Sequence, residues 1–206
     1  MLARRLILVV VAIAMLLAAS GGTLLRLWDP VPSPLAFKPF SEEVWGLMQA
    51  ARAASRANDH KRAVELYTQA LALEPSPNTV SRELLALRGG EYNFLGKAPE
   101  AFADYDAAIR VEYHAPLGDQ AIRAYMGRGY AAVQLQRYAR AKDDFDVVLK
   151  VLPNDVPRSS ATLAWRGAAH QGLGERARAV ADYKAALTLD ANNAYARDAL
   201  KDLGEP

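Results

Sequence analysis

The 206-residue chain contains no cysteine, which excludes disulfide bonds, thiolate metal sites, cysteine nucleophiles and lipid attachment through a cysteine. Histidine is scarce: His60, His114 and His170 are far apart in the sequence and have no metal-ligand spacing such as His-Glu-x-x-His. No phosphate-binding loop is present either, since the glycines at 172 and 174 follow a helical pattern, not a strand. We therefore expect no enzyme activity, no metal and no cofactor.

An excess of one charge is also missing from the body of the chain. The formal net charge is +2, and residues 30–206 carry 22 basic and 22 acidic side chains. A nucleic-acid-binding surface normally shows a basic excess, because much of its affinity comes from neutralising phosphates. This balance argues against a nucleic-acid partner.

Residues 1–27 have the pattern of a membrane-targeting segment. Arg4 and Arg5 precede an apolar run over residues 6–19. A run of this length, shorter than a membrane span, suits a cleaved signal peptide. If the Ser-Gly-Gly-Thr step that follows is tolerated, residues 6–25 form a helix about 30 Å long, enough to cross the hydrocarbon core. We favour the uncleaved anchor over residues 1–27 and keep the signal peptide as the alternative.

The two arginines also predict the orientation of the chain. Basic residues before an apolar segment tend to stay in the cytoplasm, so the body is expected to be exported. This pattern predicts a single-pass protein of a bacterial inner membrane with a periplasmic body, or a soluble periplasmic protein after cleavage. Residues 28–40 then form a semi-rigid linker, because they contain four prolines, at positions 30, 32, 34 and 39.

Four segments after residue 41 share one pattern. Each has alanine at its second position and an aromatic residue at its sixth, and the alanines recur at a nearly constant distance along the chain. A small residue lies twelve positions before each alanine, and a polar or glycine-containing turn lies between the two. Each unit therefore reads as a helix, a turn and a second helix that crosses the first closely. The four alanines are Ala63, Ala101, Ala141 and Ala179, and the segments begin at Arg62, Glu100, Arg140 and Arg178.

This pattern resembles the tetratricopeptide repeat. The most complete unit places Gly89, Tyr92, Leu95, Ala101 and Tyr105 at signature positions of that family. The resemblance implies an all-α superhelical solenoid over residues 41–206, built from tandem helix-turn-helix repeats. We expect four repeats, at about 44–77, 82–115, 122–155 and 160–193, and a capping helix over 193–203.

An arginine recurs at one position in the first helix of repeats two, three and four. An aspartate follows each arginine sixteen residues later, in the second helix. Repeat one has Ala50 and Leu66 at these positions, so both charges are absent there together. We predict an Arg–Asp pair across each hairpin, with bidentate hydrogen bonds. The pairs are Arg88 with Asp104, Arg128 with Asp144, and Arg166 with Asp182.

The resemblance also implies a concave groove lined by the first helices of the repeats. Aromatic residues, methionine and arginine, which are enriched in binding hot spots, occur at groove positions of repeats one to three. Repeat four presents mainly Ala161, Ala164 and Ala168. The predicted partner-binding residues are Trp45, Met48, Arg52, Arg56, Asn93, Phe94, Arg123, Met126, Tyr130 and Gln134.

The predicted function is that of an adaptor. We expect a membrane-tethered, periplasm-facing scaffold that binds a partner protein or peptide in its groove. The alternative is a structural subunit of an envelope complex that packs through its convex face and has no groove ligand. The family members that bind chaperone tails clamp a terminal carboxylate with a lysine, asparagine and arginine set. Met48, Leu87 and Gly127 occupy matching positions here and do not support that activity.

Overall fold

A computed structural model describes residues 41–74, 77–111, 118–152 and 155–205. Nine α-helices and no strand occur in these ranges, which confirms the predicted all-α fold. Residues 1–27 and the linker 28–40 lie outside the described residues, and within the described ones no helix has the length and apolarity to span a membrane. The helices are α1 Glu42–Arg56, α2 His60–Ala72, α3 Thr79–Phe94, α4 Ala98–Arg110, α5 Asp119–Gln134, α6 Tyr138–Val151, α7 Val156–Gly172, α8 Arg176–Leu189 and α9 Ala194–Asp202.

The first eight helices form four hairpins that stack in chain order. Each odd-numbered helix from α1 to α7 packs against the even-numbered helix that follows it, and each hairpin packs against the next. Helices α3, α5 and α7 also contact one another in sequence, so the first helices of the hairpins line one face. Helix α9 covers α8 at the end of the array. The result is the expected helical repeat solenoid with a capping helix.

The first helices of the hairpins are longer than the second ones. They contain 15 to 17 residues, whereas the second helices contain 13 or 14. Side-chain caps define three of the four starts. Ser41 accepts a hydrogen bond from the Val44 amide, and Asn78 and Ser81 form a capping box. Asp155 accepts from the Arg158 amide.

A residue with left-handed backbone occupies the same place in every hairpin turn. Its φ angle is 59° at Asn58, 68° at Gly96, 57° at Gln136 and 76° at Gly174. This conformation ends the first helix and reverses the chain within three residues. The turns recur with the period of the repeats, so they keep the four hairpins alike.

Glycines let the two helices of a hairpin approach closely, as the sequence predicts. A Cβ atom added to Gly129 would lie 2.7 Å from the ring of Phe145, and one added to Gly167 would lie 2.7 Å from Tyr183. A further close approach, which the sequence does not predict, joins neighbouring repeats. A Cβ on Gly127 would overlap Cζ of Tyr105, in the hairpin before it.

The three predicted Arg–Asp pairs are confirmed, and each is bidentate. Within every pair the arginine Nε and Nη2 atoms donate to the two oxygens of one aspartate. The two distances are 2.7 and 2.7 Å for Arg88 with Asp104, 2.9 and 2.7 Å for Arg128 with Asp144, and 2.8 and 2.7 Å for Arg166 with Asp182.

Each of these arginines also reaches into the preceding repeat. The remaining Nη1 atom donates to Thr68 from Arg88 at 3.0 Å, to Asp106 from Arg128 at 2.7 Å, and to Asp146 from Arg166 at 2.7 Å. One guanidinium therefore ties its own hairpin together and fastens that hairpin to its neighbour. We call these three arginines and their acceptors the arginine ladder.

Candidate functional site

The concave face contains a cavity of about 580 Å³ lined by all four first helices. Its apolar floor is formed by Ala86, Leu87 and Met126, on α3 and α5. Charged and amide groups surround this floor. They come from α1 (Arg52), α3 (Glu83 and Glu91), α5 (Gln120 and Arg123) and α7 (Arg158).

Glu83 connects three first helices across the cavity. One carboxylate oxygen accepts from Nη2 of Arg52 at 3.0 Å, and the other accepts from Nε2 of Gln120 at 3.1 Å. The exposed fraction of the side chain is 36% for Arg52 and 19% for Glu83. Because Glu83 accepts these bonds from α1 and α5, the charge of Arg52 is already neutralised inside the groove.

Arg158 is neutralised in a similar way between α5 and α7. Its Nη1 atom donates to Asp119 at 2.8 Å, and its Nε atom donates to Asp155 at 2.5 Å. The hydrogen bond from Arg158 holds the pKa of Asp119 below its usual range. Arg158 thus connects α5 with α7 and is already paired with two carboxylates.

Arg123 differs from the other two cavity arginines. Its side chain is exposed, and it makes no hydrogen bond or ion pair within the described part of the chain. It lies one helical turn before Met126, which belongs to the cavity floor. The charge of Arg123 helps to lower the pKa of Asp119, one turn earlier on α5, but its N–H donors remain available to an anionic group of a ligand.

Four aromatic residues cluster toward the capped end of the array. Tyr130 meets Trp165 edge to face with ring centroids 4.6 Å apart, and Trp165 stacks on Tyr195 at 4.4 Å. Tyr183 lies 6.4 Å from Tyr195, and its hydroxyl donates to Gln171 at 3.0 Å. Burial raises the pKa of Tyr195, so its hydroxyl stays neutral. We call Tyr130, Trp165 and Tyr195 the aromatic shelf.

Two of the three shelf residues are absent from the predicted groove set, and one predicted residue is wrong. Met48 is 1% exposed and packs with Val44 and Leu84 in the hydrophobic core between α1, α2 and α3, so it cannot contact a ligand. Trp165 is missing from the prediction because the alanines around it make repeat four look featureless. Tyr195 is missing because it belongs to the capping helix.

Four other predicted residues lie in or next to the cavity. Arg52, Arg123 and Met126 line it, and Tyr130 continues the same face of α5 toward the shelf. Asn93, also predicted, sits between α3 and α5, where its Nδ2 atom donates to the carbonyl oxygen of Gly127 at 3.2 Å. The contact of Asn93 is thus between repeats.

The remaining predicted residues lie outside the cavity. Phe94 is 73% exposed and stacks on the His60 ring at 4.7 Å, at the edge where hairpin helices are joined. Nδ1 of His60 lies 2.7 Å from Oε2 of the buried Glu91, which fixes the imidazole under Phe94. Trp45 is 48% exposed, and the side chains of Arg56 and Gln134 are exposed as well. In the ranges that the structure covers, no three acidic or histidine side chains converge as a metal site requires.

Comparison with known families identifies repeats in this chain. A family model described as tetratricopeptide repeat matches residues 46–77 and 161–193, which are the first and fourth hairpins. The chain therefore contains tetratricopeptide repeats.

Curated relatives match part of the chain. The Protein SGT1 homolog of rice (Oryza sativa subsp. japonica) is 38% identical over 96 residues, which is 47% of this chain and 23% of the relative. The heat shock protein STI1 of Saccharomyces cerevisiae is 31% identical over 118 residues, which is 56% of this chain and 19% of the relative. The chain thus spans less than a quarter of the length of these relatives.

Solved structures share the fold at low sequence identity. MamA from Desulfovibrio magneticus RS-1 has a TM-score of 0.62 at 15% identity, with 74% of this chain and 78% of that chain covered. A tetratricopeptide repeat protein from Parabacteroides merdae has a TM-score of 0.59 at 22% identity, with 76% and 57% covered. The first repeat domain of Spaghetti (RPAP3), bound to an HSP90 peptide, has a TM-score of 0.53 at 23% identity, with 65% and 95% covered.

Proposed function

We propose that this chain is a protein-interaction scaffold that binds an extended segment of a partner protein in its concave groove. The observation that carries the proposal is Arg123, an arginine with no hydrogen bond or ion pair among the described residues, beside an apolar floor in a cavity of about 580 Å³. A cavity of this size is within the range of ligand sites, and its lining is mostly charged and amide groups around a small apolar floor. The RPAP3 domain, which has the same fold, was solved with a bound peptide.

The rigidity of the groove supports this function. Glu83 and Arg158 tie the first helices together on the concave side, and the arginine ladder ties the repeats together elsewhere. A groove held at fixed spacing loses little conformational entropy when a ligand binds, so more of the contact energy appears as affinity. The hydrogen bonds within the groove therefore favour the binding of a ligand, because they hold the site in one conformation.

Co-purification from native membranes tests the proposal. The full chain with Arg123→Ala and Met126→Ala is expected to lose its partner, whereas a chain with Gln69→Ala, an exposed position on the second helix of repeat one, keeps it. Circular dichroism checks that both variants fold. Unchanged recovery of the partner with the groove variant would instead favour packing through the convex face.

We further propose that residues 1–27 tether the scaffold to a bacterial inner membrane with the repeats in the periplasm. The support is the two arginines followed by the apolar run in the sequence. The N-terminal mass of the mature protein and its extraction at high pH test this. An intact N-terminus and retention in the membrane support the anchor, whereas a chain that begins after residue 20 and is released supports a cleaved signal.

A further inference from the structure

We propose that the groove selects partner segments that carry one acidic side chain and, three or four residues away along the segment, a proline. The inference rests on the proposed function and names the partner chemistry of that same site. It follows from the charges in the cavity, from the spacing of side chains on α5, and from the exposed atoms of the aromatic shelf.

The charges in the cavity limit the number of acidic side chains that a bound segment can place there. Of the three arginines there, Arg52 is bonded to Glu83 and Arg158 to two aspartates. Arg123 is left as the one cavity guanidinium with no acceptor among the described residues. One ligand carboxylate satisfies it, and a second acidic group would meet Glu83 or Glu91 on the cavity wall. The groove thus fits a singly acidic segment better than a polyacidic one.

The spacing of Arg123 and Tyr130 on α5 sets the distance between the acidic side chain and the proline along the bound segment. Arg123 and Tyr130 are seven residues apart on one helix, so they share a face and their Cα atoms lie about 10.5 Å apart. An extended chain in the polyproline II conformation rises about 3.1 Å per residue. A side chain that reaches Tyr130 is therefore three or four residues away from the acidic one.

The aromatic shelf sets the chemistry of that second side chain. Tyr195 is 42% exposed, and the Trp165 indole N–H has no acceptor in the described part of the chain. Polyproline II segments have no internal hydrogen bonds, so their carbonyl groups are free to accept such a donor. Aromatic-lined grooves bind proline-rich segments in this manner, with little loss of chain entropy.

Glu83 is an anionic group that the groove itself supplies. It occupies the guanidinium of Arg52 that a second ligand carboxylate would otherwise use. Glu83→Gln removes that charge while it keeps an amide oxygen for Arg52 and a similar shape. The substitution is expected to raise affinity for peptides with two or three acidic residues by about tenfold, and to change affinity for singly acidic peptides by less than about threefold.

The test uses a displayed library of random ten-residue peptides, selected on the full chain in detergent. Selected peptides are synthesised and titrated by fluorescence anisotropy, each together with a copy whose acidic residue is an amide and a copy whose proline is alanine. Three protein variants accompany the wild type: Arg123→Ala, Tyr130→Ala and the matched control Arg110→Ala, whose exposed side chain lies on α4. Arg123→Ala is expected to weaken the affinity for singly acidic peptides at least about tenfold, and Arg110→Ala to leave that affinity unchanged.

The possible outcomes separate this inference from the proposed function. The inference is supported if the selected peptides carry one acidic residue and a proline three or four residues apart. Arg123→Ala should then abolish the preference for the acidic residue, and Tyr130→Ala should abolish the preference for the proline. Peptides that bind the groove but prefer several acids, or need no proline, overturn it and leave the proposed function standing. Peptides that bind without any effect of the groove variants overturn both. Residues 28–40 themselves carry Asp29 and, three residues later, Pro32. Tighter binding by a synthetic peptide of residues 28–40 would show that the chain's own linker, and not a partner, is the occupant, which overturns the inference about a partner segment.

Discussion

Loss of the central Arg–Asp pair is expected to be the most damaging single change in the arginine ladder. The exposed fraction of the side chain is 6% for Arg128 and 2% for Asp144, against 17% and 9% for Arg88 and Asp104. Asp144→Ala removes both bonds of the bidentate pair and leaves Arg128 with Asp106 as its remaining acceptor. Arg128→Met leaves Asp144 buried without the cation that donates hydrogen bonds to it.

The magnitudes follow from the cost of an unpaired buried charge. Breaking a buried ion pair by removing one partner destabilises a protein by about 3–5 kcal/mol. Because Asp106 still neutralises part of the Arg128 charge, Asp144→Ala should cost about 3 kcal/mol and Arg128→Met about 4 kcal/mol. The double variant Arg128→Met, Asp144→Leu leaves no buried charge at this position, so its free energy of unfolding should lie within about 1–2 kcal/mol of the wild type.

Urea unfolding followed by far-UV circular dichroism measures these free energies. We expect a coupling energy of about 3 kcal/mol or more between the two positions. The exposed pair Arg62 and Glu65, at 52% and 60% exposure, is the control and should show less than about 0.5 kcal/mol. Single substitutions at Arg128 and Asp144 whose effects simply add, or a coupling no larger than in the control, would refute the reasoning.

Three further predictions concern the pH dependence of this pair and the substitution of two glycines. Burial raises the pKa of Asp144 even beside Arg128. Without the arginine that pKa rises further, so the folded state of Arg128→Met binds a proton as the pH falls. The loss of stability caused by Arg128→Met should therefore be smaller at pH 5 than at pH 8, which the urea midpoints at the two pH values measure. Gly127→Ala would drive a Cβ into the ring of Tyr105 and should cost about 1–3 kcal/mol. Gly46→Ala, at an exposed helix position with nothing within 4 Å, should add about 0.5–1 kcal/mol in the same assay.

The repeat pattern predicts the hairpins and the Arg–Asp pairs because both recur at fixed sequence distances. The arginine and aspartate of one pair are always sixteen residues apart, so a local contact across one turn explains them. The third bond of each arginine is not predicted, because it depends on how one hairpin is offset against the previous one. The sequence nevertheless contains a signal for it, since Thr68, Asp106 and Asp146 follow one another with the period of the repeats.

The groove is harder to predict, since it depends on burial as well as on register. Met48 occupies a groove position of the family, yet α1 directs it into the core with Val80 and Leu84. Phe94 lies at the edge of the array because it stacks on His60 of the preceding hairpin. The position of Trp165 depends on Tyr195 of the capping helix, and no repeat rule places that helix. Sequence reasoning thus finds the scaffold more readily than the shape of its binding surface.

Site-specific photocrosslinking in intact cells tests the central claim, that the concave groove holds a partner segment, most directly. A photoreactive phenylalanine analogue is placed at Met126, on the cavity floor, or at Gln69, exposed on α2. The account predicts one partner crosslinked from position 126, lost when Arg123 is changed to alanine, and no crosslink from position 69. Crosslinks from position 69 alone, with none from position 126, would contradict it.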